Sequence, residues 1–293
     1  MRFSLACLAT CCVFAPALAT HAGTALETPA APASGAPWLG PGETFGFQVS
    51  WGIFPRAGSI DIAADPLNPY VSAERRVTVR IATDGTFGRL YRYEAIGETL
   101  FAADTGLMQR ASYRARIGKK KQQRDLTFDY VARVAHYRDT IDPTRDATLT
   151  LPEGEPVDLI TSLVTARRWQ LAPGDTREIL VQVDDDFYPL LLRAGSIERL
   201  RTKRGEFSAL VITPESAGKA RGLFRRGGSL KIWIEDSPAR LPLRIEAKGR
   251  FGTVTADLVH YTPPLADPEA IPTTTVTPSP SVACAAATTG PSI

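Results

Sequence analysis

The chain has 293 residues, 44% of them hydrophobic and 22% charged, the composition of an ordinary globular protein with length enough to bury its own core. Its 34 Lys and Arg stand against 31 Asp and Glu, a formal charge of +3, and so even a balance is not that of a nucleic-acid-binding surface. Cys7, Cys11 and Cys12 lie at the amino end and Cys284 near the carboxyl end, so the long stretch between them can hold neither an internal disulfide nor a cysteine-ligated metal.

Arg2 is followed by an apolar run over residues 3–19, FSLACLATCCVFAPALA, that ends in small residues. This pattern reads as a cleavable signal peptide over residues 1–19, cut after Ala17-Leu18-Ala19, with Thr20-His21-Ala22 as the second candidate. Pro16 interrupts the run before it reaches the ~20 residues needed to span a bilayer. Leu8-Ala9-Thr10-Cys11 comes close to a lipoprotein-processing box, but Thr10 stands where Gly, Ala or Ser is usual and the apolar run continues past Cys11. The expected compartment is the periplasm of a Gram-negative-type envelope. Losing Arg2 leaves 33 cations against 31 acids.

Residues 20–40, rich in Ala, Pro, Gly and Ser, have no apolar periodicity and read as a flexible leader. From residue 41 onward period-two alternation dominates, which puts successive side chains on opposite faces of a strand. Phe45, Phe47, Val49 and Trp51 alternate with Gly46, Gln48 and Ser50. Val77, Val79 and Ile81 alternate with Arg76, Thr78 and Arg80. Leu107, Ala111, Tyr113, Ala115 and Ile117 alternate with Arg110, Ser112, Arg114 and Arg116. Further strands are expected over residues 89–100, 124–130, 131–138, 147–151, 178–183, 188–192, 196–202, 207–213, 229–235, 243–248 and 252–261. Turns punctuate them at Asp84-Gly85, Gly118-Lys119, Arg204-Gly205 and Gly227-Gly228. One helix is expected, capped by Asp158 and running over residues 159–170, where Leu159, Leu163, Ala166 and Gln170 share a face and Pro173-Gly174 stops it. Residues 263–293, dense in Pro, Thr, Ser and Ala, read as a disordered tail. No internal linker divides residues 41–262, so one mostly β domain is expected, a curved antiparallel sheet forming a barrel or half-barrel with one main helix.

Catalytic candidates are sparse. His136 and His260 fall within alternating strands, and no Gly-x-Ser-x-Gly elbow accompanies them. Asp184-Asp185-Asp186 lacks the spacing of a calcium loop, and consecutive strand residues face opposite ways, so the triplet reads as a solvated strand end. No metal site and no cofactor is expected, and the balance leans away from an enzyme. Arg110, Arg114 and Arg116 share one strand face that leads into Gly118-Lys119-Lys120-Lys121, and Arg124 opens the returning strand. Such a hairpin suits anionic lipid headgroups, a phosphorylated glycan or an acidic partner; equally, it is a charged outer face that discourages edge pairing. Trp51, Tyr91, Tyr93, Tyr113 and Trp233 fall on expected strands, where they would be core or line an apolar cavity in the curved sheet.

Several stretches together resemble the domain-of-unknown-function 3108 family of exported bacterial proteins. They are Gly42-Glu43-Thr44-Phe45 with Val49-Ser50-Trp51-Gly52-Ile53 and Ala57-Gly58, Gly118-Lys119 with Thr127-Phe128-Asp129-Tyr130, Asp158-Leu159, Lys231-Ile232-Trp233-Ile234-Glu235-Asp236, Arg240-Leu241-Pro242-Leu243-Arg244-Ile245-Glu246, and Phe251-Gly252. The resemblance implies a β-rich, barrel-like periplasmic domain with no established activity and no agreed catalytic residues. Lipoprotein-carrier half-barrels offer an architectural analogy. The leading expectation is a non-enzymatic protein whose concave sheet holds an amphiphilic lipid or glycolipid of the envelope, with the Arg110–Arg124 hairpin meeting its anionic end. The alternative is an envelope assembly or scaffold protein acting through protein contacts. Peripheral contact with the membrane fits either, and no nucleic-acid partner is expected.

Overall fold

Strands that are apolar on one face need neighbours on both sides, and this chain supplies them by folding back at nearly every turn. The structure is a computed structural model that describes residues 39–66, 74–158, 161–218, 224, 227–250 and 252–265. The expected signal peptide, leader residues 20–38, Leu159 and Ile160 of the expected helix, and tail residues 266–293 with Cys284 lie outside the described residues.

The elements are β1 (Thr44–Trp51), β2 (Phe54–Ala64), β3 (Glu74–Thr83), α1 (Gly85–Leu90), β4 (Tyr93–Ala102), β5 (Met108–Ile117), β6 (Lys120–Asp129), β7 (Val134–Asp139) and β8 (Ala147–Thr150). After them come β9 (Pro156–Asp158), α2 (Thr161–Thr165), β10 (Thr176–Val183), β11 (Asp186–Thr202), β12 (Gly205–Ser216), β13 (Ser229–Glu235), β14 (Pro242–Gly249) and β15 (Gly252–Thr262). Among the described residues the fifteen strands form one sheet in the order β8-β7-β6-β5-β4-β3-β2-β1-β15-β14-β13-β12-β11-β10-β9. Each pair is antiparallel except β9 with β10, which is parallel. The first and last strands therefore sit together in the middle of the sheet, and β8 and β9 form its two margins.

That arrangement forces curvature. Laid flat at ~4.8 Å per strand the sheet would be roughly 70 Å wide. The connection over residues 151–155, which joins one margin to the other, can reach only about 20 Å. The sheet must therefore roll, and register shifts in the β1–β15, β4–β5, β11–β12 and β13–β14 pairs supply local bends. Among the described residues β8 and β9 do not pair with each other, so the roll is curved but not closed.

The β9–β11 margin lies against the inner face of the opposite half. Thr99 Oγ1 on β4 donates to Asp158 Oδ2 on β9 at 3.0 Å, and Phe128 of β6 meets Phe187 of β11 edge-on with ring centroids 6.4 Å apart. One continuous core fills the space between the halves, running from Phe45, Phe47 and Ile62 through Phe101, Met108 and Leu126 to Ile212, Ile234 and Leu258. Burying each such side chain contributes about 1.5–3 kcal/mol. Leu39, assigned by sequence to the leader, is only 2% exposed and belongs to this core.

The helix is shorter than its pattern suggested. Asp158 Oδ1 accepts from the Thr161 backbone N–H at 3.0 Å, as a cap should, but α2 ends at Thr165 and passes into a 3-10 turn over Ala166–Arg168. Thr161, Val164 and Thr165 are weak helix formers. The segment is held instead by packing, since Leu163, Val164, Ala166 and Trp169 all join the core. Among the described residues no helix is long and apolar enough to cross a membrane.

Three further elements depart from expectation. α1 stands where a strand was expected to begin at residue 89; it buries a single side chain, Phe87, so it carries no apolar period. β2 was not anticipated, although Ile60, Ile62 and Ala64 do alternate with Ser59, Asp61 and Ala63. The segments 188–192 and 196–202 are one strand, β11, which bends at its register shift between Ala194 and Ile197 instead of stopping.

Candidate functional site

The hairpin turns fall alternately at the two ends of the roll. At the end that holds the β1–β2, β3–β4, β5–β6, β7–β8 and β10–β11 connections, the inner face turns polar and aromatic. Tyr93 opens β4 and Tyr113 stands on β5, and their hydroxyls meet at 2.9 Å. Burial pushes the pKa of both above the usual tyrosine value. Each phenol stays protonated at neutral pH and serves as a hydrogen-bonding group.

Arg124 on β6 lies opposite Tyr113 in the ladder, with its guanidinium 5.9 Å from the ring centroid. Its side chain is 7% exposed and pairs with Asp139 Oδ2 at 3.7 Å and with Asp184 Oδ1. Arg145, in the 3-10 turn Pro143–Arg145, reaches Asp139 at 3.5 Å and Asp185 at 3.2 Å. It also lies 5.7 Å over the ring of Tyr137, whose pKa burial pushes up to about 12. These pairs connect β6 and β7 to the β10–β11 turn, where Asp184 takes a positive φ of 55°. Asp tolerates that conformation because its short side chain adds little crowding.

These positions correct two sequence readings. Asp184 and Asp185 are not a solvated strand end, because the turn aims them at Arg124 and Arg145. Nor does Arg124 extend the cationic face of Arg110, Arg114 and Arg116. The ladder sets Arg110 opposite Thr127 and Arg124 opposite Tyr113, and that parity sends Arg124 inward while the other three are exposed on the convex side. There Arg110 pairs with Asp125 at 3.2 Å, and Arg116 stands beside Glu94 of β4 in the ladder. The concave face is thus out of reach of the Arg110, Arg114 and Arg116 charges.

The aromatic candidates separate in the same way. Trp51 and Tyr91 both border Phe87 of α1, with centroids 5.1 and 6.3 Å away, and Phe54 joins them at 5.3 Å. This group adjoins Tyr93 through Thr83, whose hydroxyl donates to the carbonyls of Tyr91 and Tyr93. Trp233 is elsewhere. It points to the opposite side of β13 from Ile232 and Ile234, and its indole N–H donates to Glu198 Oε2 at 3.3 Å beneath the β11–β12 hairpin. Four of the five aromatic candidates therefore gather at one end of the roll, and Trp233 does not.

A second buried polar group lies at the far end. Glu43, 1% exposed, accepts from Arg167 Nη1 at 2.8 Å, from Tyr261 Oη at 2.8 Å and from the Gly40 N–H at 2.9 Å. It ties the helix segment to the first and last strands. The partners are 124 and 218 residues away in sequence, so no local motif could have marked them. His136 and His260 are exposed on their strands, each beside a threonine hydroxyl, at 3.3 Å from Thr148 and 3.1 Å from Thr262. Among the described residues no group of three or more His, Cys, Asp and Glu side chains is placed to hold a metal ion.

The profile of a family described as "Protein of unknown function (DUF3108)" matches residues 47–259. No curated protein matches the chain. Among solved structures, a β-barrel-like protein of domain of unknown function DUF1849 from Brucella abortus is similar at a TM-score of 0.50 and 7% identity, over 77% of this chain and 98% of that one. A DUF1089 family protein from Pseudomonas aeruginosa aligns at a TM-score of 0.33 and 12% identity, over 75% of this chain and 95% of that one. The first likeness is one of fold, a β-barrel-like architecture.

Proposed function

The chain belongs to the DUF3108 family, whose function is unknown, and we propose from its geometry that it is an exported, non-catalytic binding protein of the cell envelope that takes an amphiphilic envelope molecule at one end of its rolled sheet. Support for export is the Arg2-led apolar segment over residues 3–19 with its small-residue ending. The observation that carries the binding reading is the aromatic group of Trp51, Phe54, Phe87 and Tyr91, which adjoins the Tyr93–Tyr113 pair and is bordered by exposed cations. An apolar chain or ring would rest on the aromatics and its polar end would meet the tyrosine hydroxyls or the neighbouring cations. The middle of the roll is occupied by core side chains, so the ligand's place in this reading is the end, not the length of the concave face.

Native mass spectrometry with solvent extraction, on protein purified from the periplasm without detergent, tests it. A stoichiometric lipid or glycolipid on the wild type, depleted in Trp51→Ala and Tyr91→Ala, is the expected result. A clean apo mass would overturn the reading.

A scaffold role has one observation in its favour. Among the described residues β8 is hydrogen-bonded on one side only, to β7, and its other edge could accept a partner strand. In vivo crosslinking from Thr148 would then recover one dominant protein.

A further inference from the structure

We propose that the end of the roll carrying the Trp51–Tyr91 aromatics is a peripheral membrane-docking face, which seats on a bilayer rich in anionic phospholipid by inserting Ile53 and Leu90 within a ring of cations. The inference rests on the envelope location in the functional reading above and extends it from ligand to surface.

Ile53, at the tip of the β1–β2 turn, is 88% exposed, and Leu90, at the end of α1, is 72% exposed. Large apolar side chains so fully in water at adjoining turns are costly unless something covers them. The two turns are held together as one surface. Asp84 N–H donates to Ala57 O at 3.0 Å, which seats α1 on β2, and Phe87 is packed between Trp51, Phe54 and Tyr91. The β5–β6 turn joins them through Gly118 N–H donating to Arg92 O at 2.9 Å.

Charge identifies what covers this surface. Residues 51–56, 84–94 and 116–121 hold seven cations, Arg56, Arg89, Arg92, Arg116 and Lys119–Lys121, all exposed, against two acids, Asp84 and Glu94. Glu94 is already paired with Arg92 at 2.7 Å. At the opposite end of the roll the exposed turn residues include Asp104, Asp129, Glu153, Glu155, Asp175 and Asp236, with Lys203 and Arg204 as exposed cations among the described turn residues. The β7–β8 turn, at the same end as the Ile53 and Leu90 tips, carries exposed Asp142 and Asp146, so the cations gather around those tips and an anionic surface is drawn to that side of the end. Apolar tips inside a cationic ring, flanked by half-buried Trp51, Phe54 and Tyr91, are the chemistry of an interfacial anchor: aromatics at headgroup depth, aliphatic side chains below, cations at the phosphates. An acidic protein would satisfy the cations but gives no reason for two separate, protruding aliphatic tips.

Flotation of the full exported protein with vesicles tests the proposal, using phosphatidylcholine alone and phosphatidylcholine with phosphatidylglycerol. We expect partition onto the anionic vesicles at least tenfold above that onto the neutral ones, falling as salt is raised past the ~10 Å Debye length of 0.1 M. Ile53→Asp with Leu90→Asp, and separately Lys119→Gln with Lys120→Gln and Lys121→Gln, should each reduce it by tenfold or more. All five positions are exposed, so folding, checked by circular dichroism, should be unchanged. Equal partition onto both vesicle types, absence from both, or wild-type partition by the folded Asp variant would overturn the proposal. Ligand extraction reads the functional proposal separately: an apo mass with charge-dependent flotation would leave docking standing alone, and a bound lipid with no flotation would leave only the ligand site.

Discussion

Arg124 on β6 and Asp184 in the β10–β11 turn form an ion pair across the two halves of the rolled sheet, with side chains 7% and 6% exposed. Asp139 shares the guanidinium from β7. The pair fastens the seam at the end of the roll where β8 and β9 fail to meet, so charge pairing holds there what a strand ladder would hold in a closed barrel.

Removing one side of that pair should be worse than removing both. Arg124→Met leaves Asp184 buried without its cation and Asp139 with Arg145 alone, and should cost about 3–5 kcal/mol, read as a fall in the urea midpoint. Combining it with Asp184→Asn should recover part of the loss. Additive losses in the double variant would mean that the two residues do not act as a pair.

The tyrosine pair predicts a similar non-additivity on neutral groups. Tyr93→Phe or Tyr113→Phe alone strands one buried hydroxyl and should destabilise by about 1–3 kcal/mol, whereas the double variant should lie close to wild type. Denaturation of the three variants side by side decides it.

Alkaline pH should weaken the fold through Tyr93, Tyr113 and Tyr137. Each has a folded pKa raised by burial above the ordinary value of 10.0, with Tyr137 at about 12. A raised folded pKa means that the native state keeps a proton the unfolded chain releases. The stabilisation is therefore complete below pH 10 and is lost as pH rises through the folded values. Stability measured from pH 9 upward should fall beyond pH 10, and Tyr137→Phe should flatten the fall between pH 10 and 12. A flat profile in the wild type would refute the assignment.

Asp158 serves α2 and the seam at once, capping Thr161 N–H and accepting from Thr99. Asp158→Ala should cost about 1–2 kcal/mol from the cap alone and more from the orphaned Thr99 hydroxyl. Thr99→Val, which removes the cross-contact without the cap, should cost less. Equal losses in the two would show that the cap carries little.

Much of the strand pattern was legible because it is local. The alternation over β1, β3 and β5 follows from side chains pointing to opposite faces of a strand, and Asp158 was readable as a cap because a cap acts three residues away. β2 escaped because its first half, Pro55, Arg56 and Gly58, carries no apolar alternation, although Ile60 and Ile62 carried the signal. Gly58 is there for a separate reason: a Cβ on it would come within 2.2 Å of the Ala82 carbonyl on β3. The aromatic candidates were found as residue types, but the sequence could not separate Trp233 from Trp51 and Tyr91.

Local patterning along the chain sets the β class, the positions of most strands and turns, and which side chains share one face of one strand. Tertiary structure decided which face is inside, that the sheet rolls without closing, that Arg124 turns from the cationic hairpin to Asp184, and that Glu43 meets Arg167 and Tyr261. The reason is one of range. Period-two alternation is written in neighbouring residues, but the sense of a face and the partner of a buried charge depend on strands far apart in the chain, as β1 with β15. Only their pairing register says which way each side chain points.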